Sequence, residues 1–198
     1  LDLQVPVRNF LILDPQTGKE GLAENAREGQ AGKVRVRMEP GEALFVQALG
    51  EKPPGFSPWK WTREKRELAQ LDGEWTIRAL SGGPVLPSQL ESEGPCLWTG
   101  FGHPAWNDFS GVAEYSTQFN LAESPPAEAL LKTDRIFSSG KVRVNGMPAG
   151  YLWSRPLRVE VGKFLKKGLN TLSIEVAGTS VNRIRYLDRH GFKWKIFK

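Results

Sequence analysis

Residues 171–176 read Thr171-Leu-Ser-Ile-Glu-Val176, a strict alternation of polar and apolar side chains. Leu157-Arg-Val-Glu-Val161 and Lys141-Val-Arg-Val144 repeat the same period of two. Successive side chains of a strand point to opposite faces, so each stretch predicts a strand with one apolar and one polar face. Such strands are typical of an antiparallel sheet that is buried on one face only.

Further strands follow from the same alternation, and turn residues separate them. They are predicted at 33–38, 44–49, 75–79 and 111–119, the last with Ala113, Tyr115 and Phe119 facing inward. Asn145-Gly146 predicts a two-residue hairpin, because both central residues of a type I′ turn need positive φ. Gly168 and Asn170 are expected to close another turn.

Helix is predicted only at Trp61–Leu71 and as one turn within Val161–Leu165. The fold class is therefore all-β, an antiparallel jelly-roll β-sandwich with a short N-terminal β segment. A Pro- and Gly-rich stretch at 50–58 marks a boundary. We expect a partial β segment of a preceding sandwich at 1–50, a linker with a short helix at 51–71, and the sandwich proper at 72–198.

Composition excludes several classes of protein. The chain has 198 residues, 27 Lys+Arg against 22 Asp+Glu, and a net charge of +5. No apolar run approaches the roughly 20 residues of a membrane helix, so no membrane partner is expected. The single Cys96 and the two histidines cannot build a Cys/His zinc cage. Since the chain starts at Leu1 without a signal segment, we expect a piece of a longer protein.

The basic surplus lies in the last sixteen residues. Residues 183–198 hold six Lys or Arg and one acid, a surplus equal to the whole net charge. No nucleic-acid motif accompanies it, so no nucleic-acid partner is predicted. Phe192, Trp194 and Ile196 alternate there with lysines, which predicts a final edge strand over 192–196.

Signatures of catalysis are absent from the sequence. There is no GxSxG, no HExxH and no glycine-rich phosphate cradle before a helix. Cys96 and His103 are close in sequence, which does not establish a nucleophile pair. The carboxylates of Asp108, Glu114, Asp134 and Asp188 give no reason to pair any two for glycoside hydrolysis. The chain is predicted not to be an enzyme by itself.

Tryptophan is abundant, with seven residues. Trp75 lies on a predicted strand and is the expected core member. The three in loop-like contexts beside Gly, Pro, Asn or Ser are candidates for stacking on the apolar face of a sugar ring, and their polar neighbours are candidates for binding its hydroxyls. These carbohydrate-binding candidates are Trp98, Trp106, Trp153, Asn107, Asp108 and Arg155. The alternative is that the tryptophans plug the ends of the sandwich.

Several motifs in order carry a family resemblance: Gly111-Val-Ala-Glu-Tyr-Ser-Thr-Gln-Phe119, Val142-Arg-Val-Asn-Gly146, Gly150-Tyr-Leu-Trp153, Leu165-Lys-Lys-Gly-Leu-Asn-Thr-Leu172 and Val181-Asn-Arg183. Residues 72–186 resemble the galactose-binding-like sugar-binding β-sandwich of family 2 glycoside hydrolases. They are more similar still to the C-terminal sandwich of family 106 α-L-rhamnosidase-like enzymes. One departure is Thr133-Asp-Arg-Ile-Phe137, where the family has an Asp-Leu-Gly stretch.

The resemblance implies a non-catalytic carbohydrate-binding module of a polysaccharide-degrading glycoside hydrolase, whose catalytic carboxylates lie in a separate barrel. The partners it implies are a plant or microbial polysaccharide or oligosaccharide and the catalytic domain of the parent enzyme. A secreted or periplasmic location is expected, with no cofactor except that a structural Ca²⁺ is allowed.

The resemblance adds Asn182 and Arg183 to the candidate contacts. The alternative for this pair is structural, with Arg183 bonded to a buried carboxylate. The alternative for the whole chain is an accessory domain that packs on a catalytic barrel without a ligand of its own.

Overall fold

A computed structural model of the chain describes residue 7 and residues 9–23, 32–51, 53–61 and 66–194. The contacts between residues divide it into two compact units. The first comprises Leu1–Arg66 and Ser154–Pro156, and the second comprises Glu67–Trp153 and Leu157–Lys198.

The regular structure of both units is mainly antiparallel β, so the prediction of an all-β sandwich is confirmed. The described strands are β1 (Asn9–Leu13), β2 (Glu20–Leu22), β3 (Phe45–Leu49), β4 (Glu74–Gly83), β5 (Leu90–Glu93), β6 (Ser110–Leu121), β7 (Leu130–Lys132), β8 (Ser139–Val144), β9 (Met147–Leu152), β10 (Arg158–Glu160) and β11 (Gly168–Ala177). The described helices are α1 (Pro104–Asp108) and α2 (Val181–Arg189), with 3₁₀ turns at Trp98–Phe101 and Gly162–Phe164.

The first unit contains a three-stranded antiparallel sheet in which β1 lies between β2 and β3. Phe10 and Ile12 of β1 are buried. The turn from β1 into β2 is fixed by Asp14, whose carboxylate accepts hydrogen bonds from the Gln16 backbone N–H at 2.8 Å and the Thr17 hydroxyl at 2.7 Å. An Asp that bonds its own backbone two residues on is a common way to close such a turn.

The second unit is the sandwich. Six strands form one antiparallel sheet in the order β5-β4-β6-β11-β8-β9, and β10 pairs with β7 in a separate two-stranded sheet. The inner face of the large sheet supplies most of the core: Trp75, Ile77, Ala113, Tyr115, Val142, Val144, Leu152 and Leu172. The small sheet packs closely over β9, because a Cβ added at Gly150 would lie 2.9 Å from the Val159 Cγ1.

Two asparagines close the sheet at the hairpin between β8 and β9. Asn145 and Gly146 both have positive φ, 51° and 79°, as the predicted hairpin requires. Asn145 Nδ2 donates a hydrogen bond to the Oδ1 of Asn170 at 2.9 Å, and Asn170 is buried. Asn170 Nδ2 in turn donates to the Lys166 and Gly168 carbonyl oxygens at 2.7 and 2.8 Å. Since a buried amide requires such partners, both turn predictions are confirmed.

Most strand predictions of the second unit are confirmed, including the inward direction of Ala113 and Tyr115 in β6. The predicted strand at 33–38 is wrong beyond Val34, because residues 35–38 lie outside any ladder among the described residues, and Arg37 and Met38 are both exposed. In the predicted helix Trp61–Leu71, Trp61 and residues 66–71 are irregular, and residues 62–65 lie outside the described residues.

The C-terminal prediction also needs correction. Residues 192–194 are irregular, and the rest of the predicted edge strand at 192–196 lies outside the described residues. The preceding residues form α2, which the sequence analysis missed. Val181, Ile184 and Leu187 recur at a spacing of three, which is a helical period, and basic residues separate them.

Candidate functional site

Four aromatic side chains, Trp98, Trp106, Phe109 and Tyr115, form what we call the buried aromatic cluster. The ring centroid of Trp98 lies 6.2 Å from that of Trp106, 5.7 Å from Phe109 and 6.4 Å from Tyr115. Trp106 and Phe109 meet edge to face at 5.4 Å. Such edge-to-face and tilted contacts are the geometries that aromatic pairs favour. The cluster is therefore a packed part of the sandwich core.

The indole of Trp106 lies at the centre of this packing. Pro104 occupies the first turn of α1, where proline is preferred, and the single helical turn carries Trp106 inward. Its Nε1 donates a hydrogen bond to the Ser88 carbonyl oxygen at 2.9 Å, and its exposed fraction is 0%. Stacking on a sugar needs an open ring face. The prediction that Trp106 stacks on a sugar is therefore wrong, and the alternative that it plugs the sandwich is correct.

Asn107 and Asp108 follow Trp106 on the same helical turn and are half-buried. Asp108 forms an ion pair with Arg189 of α2. This pair uses one carboxylate oxygen to hold α2 beside α1. The structure thus gives Asp108 a packing role, and neither residue borders the cavity described below.

Asn182 and Arg183 lie in the first turn of α2 and tie it to the junction of α1 and β6. Asn182 Nδ2 donates to the Phe109 carbonyl oxygen at 3.1 Å, and the Arg183 N–H donates to the Ser110 hydroxyl at 2.8 Å. The guanidinium carbon of Arg183 lies 5.0 Å from the Tyr186 ring centroid. Its Nη1 is buried and has no hydrogen-bond partner among the described residues. The carboxylate partner expected for Arg183 is thus not found at Nη1, and a cation–π contact holds the side chain.

Tyr151 and Trp153 form what we call the exposed aromatic pair. Their exposed fractions are 60% and 55%, and they lie at the end of β9, the outermost strand of the large sheet. Leu152 between them is buried, because the pleat alternates side chains between the two faces. Of the three predicted stacking tryptophans, Trp153 alone has an open face. Arg155 belongs to the first unit, where a Cβ added at Gly41 would lie 2.7 Å from the Arg155 Cβ.

A cavity of about 580 Å³ opens within the second unit. Small-molecule sites have volumes of roughly 300–1,000 Å³. The residues that line it are Trp75, Pro95, Cys96, Leu97, Trp98, Thr99, Tyr115, Thr133, Asp134, Arg135, Ile136, Phe137, Leu152, Ile174, Val176, Gly178, Thr179, Val181 and Asn182. Two predicted site residues, Trp98 and Asn182, are among them. This cavity is the candidate functional site.

Polar and apolar groups occupy different parts of the cavity. The large sheet contributes an apolar floor, which we define as Trp75, Leu152, Ile174 and Val176. The indole N–H of Trp75 is already bonded to the Leu71 carbonyl oxygen at 2.8 Å. The loops and the start of α2 contribute a polar lip, which we define as Thr99, Thr133, Asp134, Arg135, Thr179 and Asn182. Lip residues are half-buried or exposed, in contrast to the buried Trp75 and Leu152 of the floor.

Tyr115 is the phenol at the side of the floor. Burial raises the pKa of Tyr115, the neighbouring Cys96 thiol adds to the increase, and a hydrogen bond with the Trp98 backbone opposes it. The phenol therefore stays neutral at physiological pH. The cavity wall beside Tyr115 carries no charge, and the exposed thiol of Cys96 is at its edge.

Gly178 sets the position of the Trp98 wall. A Cβ added at Gly178 would lie 2.7 and 2.8 Å from the Cζ2 and Cη2 atoms of Trp98. The Gly178 N–H is bonded to the Gly111 carbonyl oxygen at 2.8 Å, which holds its backbone in place. Only 8% of Trp98 is exposed, so this indole supplies a wall of the cavity rather than an open stacking face.

Most of the cavity was not predicted from the sequence. One part of the cavity did carry a signal in the sequence. Residues 133–137 line the cavity, and they are also the stretch where the chain departs from the family pattern. The floor gave no signal, since Ile174 and Val176 alternate like any core residues. Only the strand order brings β4, β6, β9 and β11 to one site.

Within the described ranges, no group of three or more His, Cys, Asp or Glu side chains could hold a metal ion. Backbone carbonyls are also Ca²⁺ ligands, so the structural calcium stays a prediction. None of the described helices has the length and apolar character needed to cross a membrane.

Comparisons with known proteins give matches to solved structures. No protein-family model matches the chain, and no curated protein matches it. The chain is similar to the rhamnosidase from Novosphingobium sp. PP1Y, with a TM-score of 0.78 and 26% identity. The match covers 96% of this chain and 18% of the rhamnosidase chain. The chain thus spans less than a fifth of that protein.

Two β-glucuronidases match over a smaller part of the chain. The enzyme from Ruminococcus gnavus matches with a TM-score of 0.47, 22% identity and 61% of this chain against 23% of its own. The enzyme from Dictyoglomus thermophilum matches with a TM-score of 0.45, 22% identity and 61% against 21%. TM-scores this low carry no argument. Similarity to part of a glycoside hydrolase therefore rests on the rhamnosidase, and it extends over nearly all of this chain.

Proposed function

We propose that this chain is a non-catalytic, carbohydrate-binding region of a glycoside hydrolase. The similarity to a small part of a rhamnosidase supports the association with a glycosidase. The single observation that carries the binding role is the cavity of about 580 Å³, which joins a wall of aromatic side chains to a lip of polar ones. Sugar sites need both, since a pyranose ring has apolar C–H faces and polar hydroxyls.

The lip offers complementary groups for hydroxyls. Asp134 supplies carboxylate acceptors and Arg135 supplies guanidinium donors, and both are exposed at the mouth. Asn182 uses its Nδ2 for the Phe109 carbonyl oxygen, which leaves its Oδ1 as an acceptor. A site with so few polar partners gives weak binding, about 4–8 kcal/mol or millimolar to micromolar.

The expected partners are a plant or microbial polysaccharide or oligosaccharide and the catalytic domain of the parent enzyme. Because the similar protein is a rhamnosidase, α-L-rhamnosides are the first ligands to test. A secreted or periplasmic location belongs to the same proposal, since polysaccharides lie outside the cytoplasm.

Affinity electrophoresis of the 198-residue chain in gels with rhamnose-containing and rhamnose-free polysaccharides tests the binding role. We expect retardation in at least one gel, and a loss of at least half of it in Arg135→Ala and in Asp134→Ala. The matched control is Arg78→Ala, which removes an exposed arginine that pairs with Glu114 away from the cavity. No retardation in any gel, or equal retardation in all four proteins, contradicts the proposal.

A second function, packing on a catalytic barrel without a ligand, is favoured by the exposed aromatic pair. Tyr151, Trp153 and Met147 (57% exposed) place three large apolar side chains on or next to edge strand β9. Apolar groups grouped in this way are typical of protein–protein contact. This function predicts self-association that Tyr151→Ser with Trp153→Ser abolishes in size-exclusion chromatography. A wild-type monomer at every concentration tested counts against it.

A further inference from the structure

The division between apolar floor and polar lip determines what part of a ligand each can hold. A hydroxyl placed on the floor would lose its water, and Ile174, Val176 and Leu152 have no group to replace that hydrogen bond. Burying an unpaired hydroxyl costs about 1–3 kcal/mol. A bare sugar therefore gains nothing by entering the floor, and its hydroxyls are best placed at the lip.

The volume leaves room beyond one ring. A cavity of roughly 150 Å³ holds one benzene molecule, whereas this one measures about 580 Å³. A single pyranose at the lip would leave the half-buried Ile174 and Val176 of the floor in contact with water, whereas Trp75 and Leu152 are already buried. Expelling that water by an apolar group is favourable by roughly 25 cal/mol for each Å² covered.

Three aromatic side chains line the cavity beside the floor. They are Trp98, Tyr115 and Phe137, of which Phe137 is 46% exposed. The Tyr115 phenol is neutral, so no charge opposes an apolar ring there. Flat rings between such walls can make the edge-to-face contacts that aromatic pairs favour.

We propose that the cavity binds a glycoside with an aromatic or other apolar substituent, the sugar at the polar lip and the substituent on the apolar floor. This inference rests on the proposed carbohydrate-binding function and narrows its ligand to an amphipathic glycoside. The occupant is a small molecule or a substituted chain end rather than the middle of an unsubstituted polysaccharide.

Calorimetric titration of the 198-residue chain with three probes tests the inference: methyl α-L-rhamnopyranoside, phenyl α-L-rhamnopyranoside and phenol. We expect the phenyl glycoside to bind at least ~10-fold more tightly than the methyl glycoside, because one more ring leaves water. Phenol alone should bind more weakly than the phenyl glycoside. Saturation-transfer NMR should give stronger effects at the phenyl protons than at the sugar protons.

Two variants locate the phenyl group. Val176→Phe fills the floor and should remove the preference for the phenyl glycoside while leaving the methyl glycoside unchanged. Because Val176 is in a core strand, Phe137→Ala serves as a second variant that removes a half-exposed ring and should lower the preference at least threefold. The control is Tyr151→Ala, which removes an exposed ring outside the cavity lining.

The outcomes separate this inference from the proposed function. Equal binding of the methyl and phenyl glycosides overturns the inference and leaves carbohydrate binding intact. Phenol binding as tightly as the phenyl glycoside overturns the inference too, since the sugar then contributes nothing. No binding of either glycoside here, together with no retardation in any polysaccharide gel, overturns both. A phenyl preference that Phe137→Ala and Val176→Phe leave unchanged places the phenyl group elsewhere and overturns the inference.

Discussion

Trp106 and Trp153 stand in similar stretches of sequence, yet the structure treats them in opposite ways. Each has a proline and a short polar residue nearby, in Pro104-Ala-Trp-Asn-Asp108 and Leu152-Trp-Ser-Arg-Pro156. Trp106 is 0% exposed in the buried aromatic cluster, and Trp153 is 55% exposed at the edge strand β9. The difference shows that loop-like neighbours do not by themselves expose an aromatic side chain. What decides is whether other side chains pack on it, as Trp98 and Phe109 pack on Trp106.

The largest expected change in stability is at Trp106, the buried tryptophan of the pair. Trp106→Ala should lower the free energy of unfolding of the second unit by about 3–5 kcal/mol, because it opens a cavity and leaves the Ser88 carbonyl without its donor. Urea denaturation followed by far-ultraviolet circular dichroism measures it. A loss below about 1 kcal/mol would mean that Trp106 is not the packed centre of the cluster.

The next largest change in stability is expected at Gly178, which lies against Trp98 where the buried aromatic cluster borders the cavity. Gly178→Ala should cost about 1–3 kcal/mol, since the new methyl would overlap the six-membered ring of Trp98. The same urea titration applies. The control is Gly100→Ala in the neighbouring 3₁₀ turn, where an added Cβ meets nothing within 4 Å and φ is not positive. Equal stabilities of the two variants would contradict a tight contact at Gly178.

A smaller effect depends on pH. Burial raises the folded pKa of Tyr115 above its unfolded value of about 10. Below that pH the phenol is neutral in both states, whereas above it the unfolded state alone loses the proton. Stability should therefore fall as pH rises above about 10, by at most ~1.4 kcal/mol per pH unit from this residue. Tyr115→Phe should fall less steeply in urea titrations at successive pH values, and parallel curves would refute the assignment.

The smallest expected change in stability is at Trp153, the exposed tryptophan of the pair. Trp153→Ala should change the free energy of unfolding by less than about 0.5 kcal/mol, because little packing is lost. Trp153→Phe should lower the fraction of tryptophan emission that iodide quenches, whereas Trp106→Phe should raise that fraction, because it removes emission that iodide does not reach. An unfolding cost at Trp153 as large as that at Trp106 would abolish the distinction between the two regions.

Much of the fold could be predicted because its signals are local. Alternation over four to nine residues predicted β4, β6, β8, β10 and β11, and the Asn145-Gly146 pair predicted its hairpin. The helix α2 was not predicted, because its arginines were interpreted only as part of the surplus of basic residues at the C-terminus. Prediction also failed at 35–38, where the sequence alternates but no strand among the described residues pairs with it.

The candidate site was predicted only in part, because a cavity is a relation between distant segments. Trp98 and Asn182 were found by residue type and by motif order. Their neighbours in the cavity, such as Arg135 and Ile174, come from a loop and a strand that are nearly 40 residues apart. Residue type cannot reveal which of many similar core residues face an unfilled volume.

The sequence by itself determined where strands and tight turns form, because side-chain alternation and positive-φ residues act within a few positions. It also determined that the basic surplus is confined to the last sixteen residues. Only the tertiary structure decided which aromatic rings are buried, which remain open and where the sandwich leaves a cavity. The physical reason is that burial belongs to a set of surfaces brought together by strand order, and no single segment contains that set.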